Sequence, residues 1–243
     1  MSTGPYNSPI SLAQRPLMAV FWTVFAGHVF AIALVFFINL FTGGWASAQF
    51  RPGGAVAGQW LILSISTFLV FAVMSVWAER IGAGPFGAAL RSSSDWIAIG
   101  AITGPVVLVA CTTLTAFAFS GGDPDWMLRE GYDQRAFSRA ALGPLMIATV
   151  LLIVPLLEEV AFRGIALGCL LGRGWPPAAA TAVTAATFAA LHTNYTWPAL
   201  IPIFIMGLYL GALRVVSGSL GPPLAAHIAA NGVSLLMLAW PGS

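Results

Sequence analysis

Charge is scarce in this chain. Of its 243 residues, 10 are Lys or Arg and 8 are Asp or Glu, so charged residues make up 7% of the total. A soluble domain carries about 25% charged residues, because its surface must be polar. Hydrophobic residues reach 58%, and the mean hydropathy is +0.88. These values exclude an ordinary water-soluble fold and predict an integral membrane protein.

Other residue types are absent or few. The chain has no Lys, and its net charge of +2 is too small to indicate a nucleic-acid partner. The absence of Lys beside abundant Ala, Gly and Arg is typical of GC-rich bacterial genes, so we expect a multi-pass protein of a bacterial inner or plasma membrane. The two cysteines, Cys111 and Cys169, lie in apolar runs and are interpreted as small buried hydrophobic residues.

Long runs with little charge mark candidate membrane spans, since a spanning helix needs about 20 apolar residues. The candidate spans are Leu17–Phe41, Val56–Trp77, Trp96–Phe119, Ala140–Leu171, Ala178–His192, Ala199–Val216 and Leu224–Trp240. The fourth contains charged residues and counts as one helix or two. Because backbone groups in lipid must be satisfied internally, we predict an all-α, polytopic transmembrane bundle of about seven to eight helices. Residues 1–243 are predicted to form a single integral membrane domain, with a motif-bearing core at about residues 140–240.

Three charged residues interrupt the fourth apolar run. Together Glu158, Glu159 and Arg163 would cost on the order of 8–10 kcal/mol if they faced lipid, so they must face the bundle interior or water. On a helix, Glu159 and Arg163 are four residues apart and share a face, which predicts an internal ion pair. Glu158 points about 100° away from Glu159 and has no such partner on its own helix. Glu159 is therefore interpreted as structural, and Glu158 as available for chemistry.

Two of the three histidines lie on apolar spans where other polar residues are expected nearby. His192 closes the fifth span, and His227 lies one helical turn from Asn231 in the last span, so that these last two side chains project together. His28 stands alone in the first span and is interpreted as a buried or interfacial histidine. A carboxylate, two imidazoles and an amide on three apolar helices suit the activation of water, attack on a carbonyl carbon and stabilisation of the resulting oxyanion.

These polar residues belong to three short motifs, each in its own apolar span. The motifs are Glu158-Glu159-Val-Ala-Phe-Arg163 (EExxxR), Phe188-Ala-Ala-Leu-His192 (FxxxH) and His227-Ile-Ala-Ala-Asn231 (HxxxN). With the motifs in this order, the chain resembles the CPBP family of CAAX proteases and bacteriocin-processing proteins. The resemblance covers roughly residues 155–236, about the last third of the chain, and the first three spans carry no motif of this kind.

The resemblance implies a membrane-embedded endopeptidase similar to the type-two CAAX prenyl proteases. Its substrate would be a membrane-associated or lipidated peptide or protein. Glu158 would be the general base that holds and activates water together with His192. The family is often described as metalloproteases, and Glu158, His192 and His227 are a possible zinc-ligand set with a fourth position for water. HExxH is absent, however, and a glutamate-activated water needs no metal, so both alternatives stay open.

The resemblance also implies supporting roles for the remaining motif residues. His227 and Asn231 would form the oxyanion pocket, and Glu159 and Arg163 would position the site.

His192 and His227 can meet in the membrane only if the helix bundle is irregular. If the fifth and last spans run in the same direction, His192 lies near the end of one and His227 near the start of the other. Their convergence requires a tilt, a kink near Pro155 or Pro176-Pro177, or a short fifth helix. We predict such an irregularity, which is tolerated where the backbone lines a polar cavity.

Two other functions remain compatible with the same residues. One is a non-enzymatic membrane scaffold or bacteriocin-immunity protein with this polar core, and the other is a proton-coupled transporter that uses the acids and histidines as a relay. The lack of a visible inverted repeat disfavours the transporter. A complete set of catalytic residue types favours the protease, with a peptide or membrane-anchored protein as substrate and the lipid bilayer as surroundings. Orientation and oligomeric state are not decided by the sequence.

Overall fold

The computed structural model describes residues 91–123, 147–192 and 195–239. These residues form five helices and no strand: α1 (Ser94–Ser120), α2 (147–172), α3 (Pro177–Ala190), α4 (Leu200–Ser217) and α5 (Gly221–Ala239). Within these ranges the all-helical prediction is confirmed. The predicted spans Leu17–Phe41 and Val56–Trp77 lie outside the described residues, as does most of the polar segment after α1. The number of seven to eight helices therefore stays a prediction.

The apolar runs predict the helix positions to within a few residues. The runs 96–119, 178–192, 199–216 and 224–240 correspond to α1, α3, α4 and α5. Two of these helices, α1 and α4, are long and apolar enough to cross a membrane. Several large apolar side chains of α1 are exposed, which fits contact with lipid better than contact with water. They include Ile102, Val106, Leu114 and Phe117.

The contact between α1 and α5 is a close approach of two backbones. A Cβ atom added at Gly100 would overlap the backbone oxygen of Pro222, and one added at Gly104 would overlap that of Ala226. Glycines spaced four apart on a helix form a flat strip that allows this approach in an apolar medium. Because both partners advance by four residues in the same direction, α1 and α5 run parallel here.

The contact between α3 and α4 uses a second pair of glycines at the same spacing. An added Cβ at Gly207 would lie 2.9 Å from the Ala185 Cβ, and one at Gly211 would lie 2.5 Å from the Thr181 Cγ2. The partner residues run in the opposite order, so α3 and α4 are antiparallel. α4 ends at Ser217 and is capped by Gly218, whose φ of 67° favours glycine, and a short turn leads into α5.

Helix α2 is continuous but irregular. It consists of a π-helical stretch at Thr149–Ile153, an α-helical stretch at Val154–Glu158, a second π-helical stretch at Glu159–Ala166 and an α-helical end at Leu167–Gly172. In the first π stretch, the Val154 N–H donates to the Thr149 carbonyl, five residues earlier. Such wide turns are rare in proteins, and those that occur are often located at functional sites. The predicted irregularity near Pro155 is therefore confirmed.

A short α3 provides the second irregularity that the sequence predicts. This helix has 14 residues, so it is about 21 Å long and shorter than the roughly 30 Å core of a bilayer. Its end lies beside the cavity that the second turn of α5 also lines. His192, just beyond α3, and His227 in α5 consequently line the same cavity.

Candidate active site

A buried ion pair lies at the centre of α2. Arg163 Nη1 donates to Glu159 Oε1 at 3.0 Å, and each side chain is only 1% exposed. Arg163 Nη2 donates to the backbone oxygen of Gly207 in α4 at 3.1 Å. The ion pair expected from the spacing is confirmed, and it also joins α2 to α4.

His227 links this ion pair to the second acid. Its Nδ1 lies 2.9 Å from Glu159 Oε1, and its Nε2 lies 3.5 Å from Glu158 Oε2. An ionised carboxylate only accepts hydrogen bonds, so the Nδ1 of His227 carries the hydrogen that Glu159 accepts. In the neutral ring, Nε2 then has a lone pair that faces Glu158. The 3.5 Å separation is too long for a good hydrogen bond, so the two groups interact through their charge and proximity.

The two adjacent acids have different surroundings. Glu159 is buried and accepts from both Arg163 and His227, whereas the Glu158 side chain is 19% exposed and, among the charged residues that the structure describes, faces His227 alone. A buried carboxylate with a cation beside it is neutralised and held in place. The difference between Glu158 and Glu159 that the sequence predicts is thus present in their contacts.

The aromatic ring of Phe188 lies among the polar side chains. Its centroid is 4.8 Å from that of His192 and 6.1 Å from that of His227, in edge-to-face arrangements. The guanidinium carbon of Arg163 lies 4.7 Å from the same centroid, within the range of a cation–π contact. Phe188 therefore touches the ion pair and both histidines at once.

His192 is held by the end of its own helix. Its Nδ1 lies 2.8 Å from the backbone oxygen of Phe188, and a carbonyl only accepts, so Nδ1 carries the hydrogen. The Nε2 atom of the neutral ring is then an acceptor. The ring centroid of Tyr195 is 5.8 Å from that of His192, on the segment that leads to α4.

Asn231 is anchored to α2. Its Nδ2 donates to the backbone oxygen of Val150 at 3.0 Å. Since Asn231 is one turn from His227 on α5, this bond fixes the same face of α5 that carries the histidine.

A cavity of about 250 Å³ adjoins these groups. Its polar wall includes His192, His227, Asn231 and Tyr195, and most of the rest is apolar. The apolar lining includes Leu108, Val109, Phe188, Ile203, Met206 and Leu210. The lining does not include Glu158, Glu159 or Arg163. His227, which contacts both acids, connects this charged group to the cavity.

The three residues that the sequence offers as a possible zinc-ligand set, Glu158, His192 and His227, are not placed as one. In the part of the chain that the structure describes, no group of three or more His, Cys, Asp or Glu side chains is placed to hold a metal ion. The geometry of Glu158, His192 and His227 therefore does not fit a zinc site, and no step of the chemistry below uses one.

Three contacts at this site were not found from the sequence. They are the Phe188 ring between the two histidines and the backbone oxygens of Gly207 and Val150 that accept from Arg163 and Asn231. Phe188 is part of the FxxxH motif and carried a signal. A backbone carbonyl gives no signal in the sequence, because every residue has a carbonyl group.

A comparison with protein families gives a match to the type II CAAX prenyl endopeptidase Rce1-like family over residues 140–233, which contain all three motifs. The match confirms the resemblance to the CPBP family. This is a family of membrane proteases, so the CPBP match supports a peptidase.

A curated relative and the known structures add little to the CPBP match. The chain is 33% identical over 94 residues to an uncharacterized 24.3 kDa protein of Escherichia coli, an alignment that covers 38% of this chain and 43% of that relative. No solved structure gives a significant match.

Proposed function

We propose that this protein is an intramembrane endopeptidase in which Glu158 activates water for attack on a peptide bond. The observation that carries this proposal is His227, whose ring nitrogens face two carboxylates at the wall of a cavity. A purely structural core would need only the neutralised pair of Glu159 and Arg163. Glu158 is a second acid beside the same imidazole, with a partly exposed side chain and no arginine or lysine partner among the described residues.

The proposed chemistry begins with a water molecule between Glu158 and His192. One proton of this water is transferred to the Glu158 carboxylate. The other hydrogen stays on the water oxygen and forms a hydrogen bond to the lone pair of His192 Nε2. The water oxygen forms a bond with the peptide carbonyl carbon, whose oxygen becomes negatively charged. When the carbon–nitrogen bond breaks, protonated Glu158 returns its proton to the amine that leaves.

Asn231 and His227 are proposed to stabilise the charged oxygen. Asn231 lines the cavity and keeps a second amide hydrogen after its bond to Val150, and this hydrogen is the proposed donor. His227 donates from Nε2 when its ring carries both hydrogens, and the Glu159 carboxylate beside Nδ1 stabilises that cation. Donors held in place before the reaction are the most effective form of oxyanion stabilisation.

Glu159 and Arg163 are proposed to act through His227. Glu159 sets which nitrogen of His227 carries the hydrogen, and Arg163 holds Glu159 by the 3.0 Å ion pair. Because Arg163 is also bonded to the Gly207 carbonyl, its position is tied to α4 as well as to α2. Neither residue needs to touch the substrate.

The substrate is proposed to be a membrane-associated or lipidated peptide or protein. The cavity is mostly apolar and lies between α1, α4 and α5, with its few polar groups on one wall. Such a cavity suits an apolar segment held beside a small number of polar groups that orient it.

Cleavage of a panel of fluorogenic peptides, some of them lipidated, by the detergent-purified protein tests this proposal. Glu158→Gln keeps the size of the side chain and removes its basicity, so we expect cleavage to fall by about 10²–10⁴-fold. The matched control is Asp95→Asn, the same chemical change at an exposed position at the start of α1. We expect this control to cleave as the wild type does.

The outcomes separate the alternatives. Equal cleavage by wild type and folded Glu158→Gln would contradict the proposal. A complete absence of cleavage by both proteins would favour the scaffold or bacteriocin-immunity function. A chelator added to the wild type tests the metal question, and we expect no change because the geometry does not form a zinc site.

A further inference from the structure

The carbonyl that holds Asn231 occupies an unusual position in α2. Val150 lies in the π stretch Thr149–Ile153, where the Val154 N–H donates to Thr149 rather than to Val150. In a regular α-helix the Val150 carbonyl would accept that same N–H from Val154. The wide turn therefore removes the ordinary donor from Val150.

The next donor in line is missing for a different reason. In the π register, the N–H of residue 155 would donate to the Val150 carbonyl, five residues earlier. Residue 155 is proline, which has no backbone N–H. The Val150 carbonyl thus has neither helical donor. The Val154 N–H donates to Thr149 instead, and Pro155 has no N–H to donate.

Asn231 supplies the hydrogen bond that α2 does not. Its Nδ2 lies 3.0 Å from the Val150 oxygen, across the contact between α5 and α2. A carbonyl left without a donor in an apolar medium costs several kcal/mol, so this bond is favoured once the two helices pack. The amide group is planar, and fixing one of its hydrogens fixes the direction of the other.

We propose that Pro155 is a positioning residue for Asn231. By leaving the Val150 carbonyl without a helical donor, Pro155 makes that carbonyl the anchor that orients the Asn231 amide at the cavity wall. This inference rests on the proposed function, because it assigns Pro155 an effect on the oxyanion pocket.

Pro155→Ala tests the inference, because alanine restores a backbone N–H that competes for the Val150 carbonyl. Loss of an oxyanion donor costs about 10²–10³-fold in kcat, and we expect Asn231→Ala to fall by about 10²-fold. A displaced donor costs less, so we expect Pro155→Ala to lower kcat by about tenfold, with KM nearly unchanged. In the Asn231→Ala background, Pro155→Ala should have no further effect, because the group that it displaces is gone.

Two controls separate the missing N–H from a general loss of structure. Pro105→Ala changes the interior proline of α1 and should leave kcat as in the wild type. An α-hydroxy acid placed at position 155, the ester analogue of alanine, lacks both the proline ring and the N–H. We expect it to restore most of the activity that Pro155→Ala loses, and a protein as slow as Pro155→Ala would overturn the inference.

The results also distinguish this inference from the proposed function. If Glu158→Gln and Asn231→Ala both cleave normally, the proposed function is wrong. If both are inactive while Pro155→Ala cleaves normally, only the inference is wrong. The inference is also wrong if Pro155→Ala is as harmful without Asn231 as with it.

Discussion

The two faces of α5 pack against the rest of the protein in different ways. One face meets α1, where Gly100 and Gly104 allow the backbones to touch at Pro222 and Ala226. The other face meets α2 through His227 and Asn231, which bond to a carboxylate and to a backbone carbonyl. On the first face the contacts are between small groups, and on the second they are hydrogen bonds of long side chains.

The two helices that pack against α5 also differ in the regularity of their backbones. α1 is one α-helix from Ser94 to Ser120, even though it contains Pro105, and small residues on its surface set its distance to α5. α2 has two π-helical stretches on either side of Pro155, next to the polar side chains. In an apolar medium, a regular helix satisfies its own carbonyls, and a neighbour can add only a second bond, as Arg163 does at Gly207 in α4. An irregular helix has carbonyls that lack a helical donor, and Val150 is the example at this site.

The largest effect is expected from breaking the polar face at Arg163. Arg163→Leu leaves the buried Glu159 with His227 as its remaining partner, and breaking a buried ion pair costs about 3–5 kcal/mol. We expect the free energy of unfolding, measured by denaturation in mixed detergent, to fall by that amount. Arg91→Leu, at an exposed position before α1, should change it little.

A double variant shows whether the pair stabilises the fold or also serves the reaction. Glu159→Leu combined with Arg163→Leu removes both charges and should recover much of the stability, because no unpaired charge is left buried. Cleavage should stay low, since His227 has lost the acceptor that fixes its Nδ1 hydrogen. Recovery of both stability and cleavage would contradict the role proposed for Glu159.

A smaller effect is expected from breaking the apolar face at Gly104. Gly104→Ala places a methyl group on the backbone of Ala226, and neither helix can yield without moving apart. Overpacking of this kind costs about 1–3 kcal/mol in unfolding free energy. At Gly232, by contrast, an added Cβ would meet only the Leu151 Cδ2 at 3.9 Å. Gly232→Ala should therefore be neutral or stabilise α5 by up to about 1 kcal/mol, and equal losses at the two glycines would contradict the close-packing explanation.

Much of the fold in the described residues follows from patterns along the chain. Apolar runs locate α1, α3, α4 and α5, because lipid requires long apolar helices. The ion pair between Glu159 and Arg163 follows from their spacing on one helix. The spacing of Gly100 and Gly104, repeated at Gly207 and Gly211, is a pattern in the sequence that indicates close helix contacts.

The contacts between helices could not be predicted in the same way. Which nitrogen of His227 faces which acid depends on the register and rotation of α5 against α2. The bond of Asn231 to Val150 depends on a backbone oxygen and on the π register of α2. Pro155 is visible in the sequence as a source of irregularity, but its link to Asn231 requires knowing which helix lies beside it.

Among the residues of the polar site, the smallest effect on the free energy of unfolding is expected at Phe188, whose apolar ring contacts the polar side chains. Phe188→Leu removes the ring that lies 4.7 Å from the Arg163 guanidinium and beside both histidines. Phe162→Leu is the matched change, because Phe162 is equally buried but its ring lies 6.0 Å from the same guanidinium. Both should lower the unfolding free energy by about 1–2 kcal/mol, since each loses aromatic packing.

Cleavage should separate the two variants. Phe188→Leu frees His192 and His227 to turn, and small displacements of catalytic groups are costly, so we expect kcat to fall by about tenfold. Phe162→Leu should leave kcat within about twofold of the wild type, because Phe162 has no ring contact with either histidine among the described residues. If the two variants lose cleavage equally, Phe188 contributes to packing alone. The polar face would then be positioned by its hydrogen bonds, without help from the aromatic ring between them.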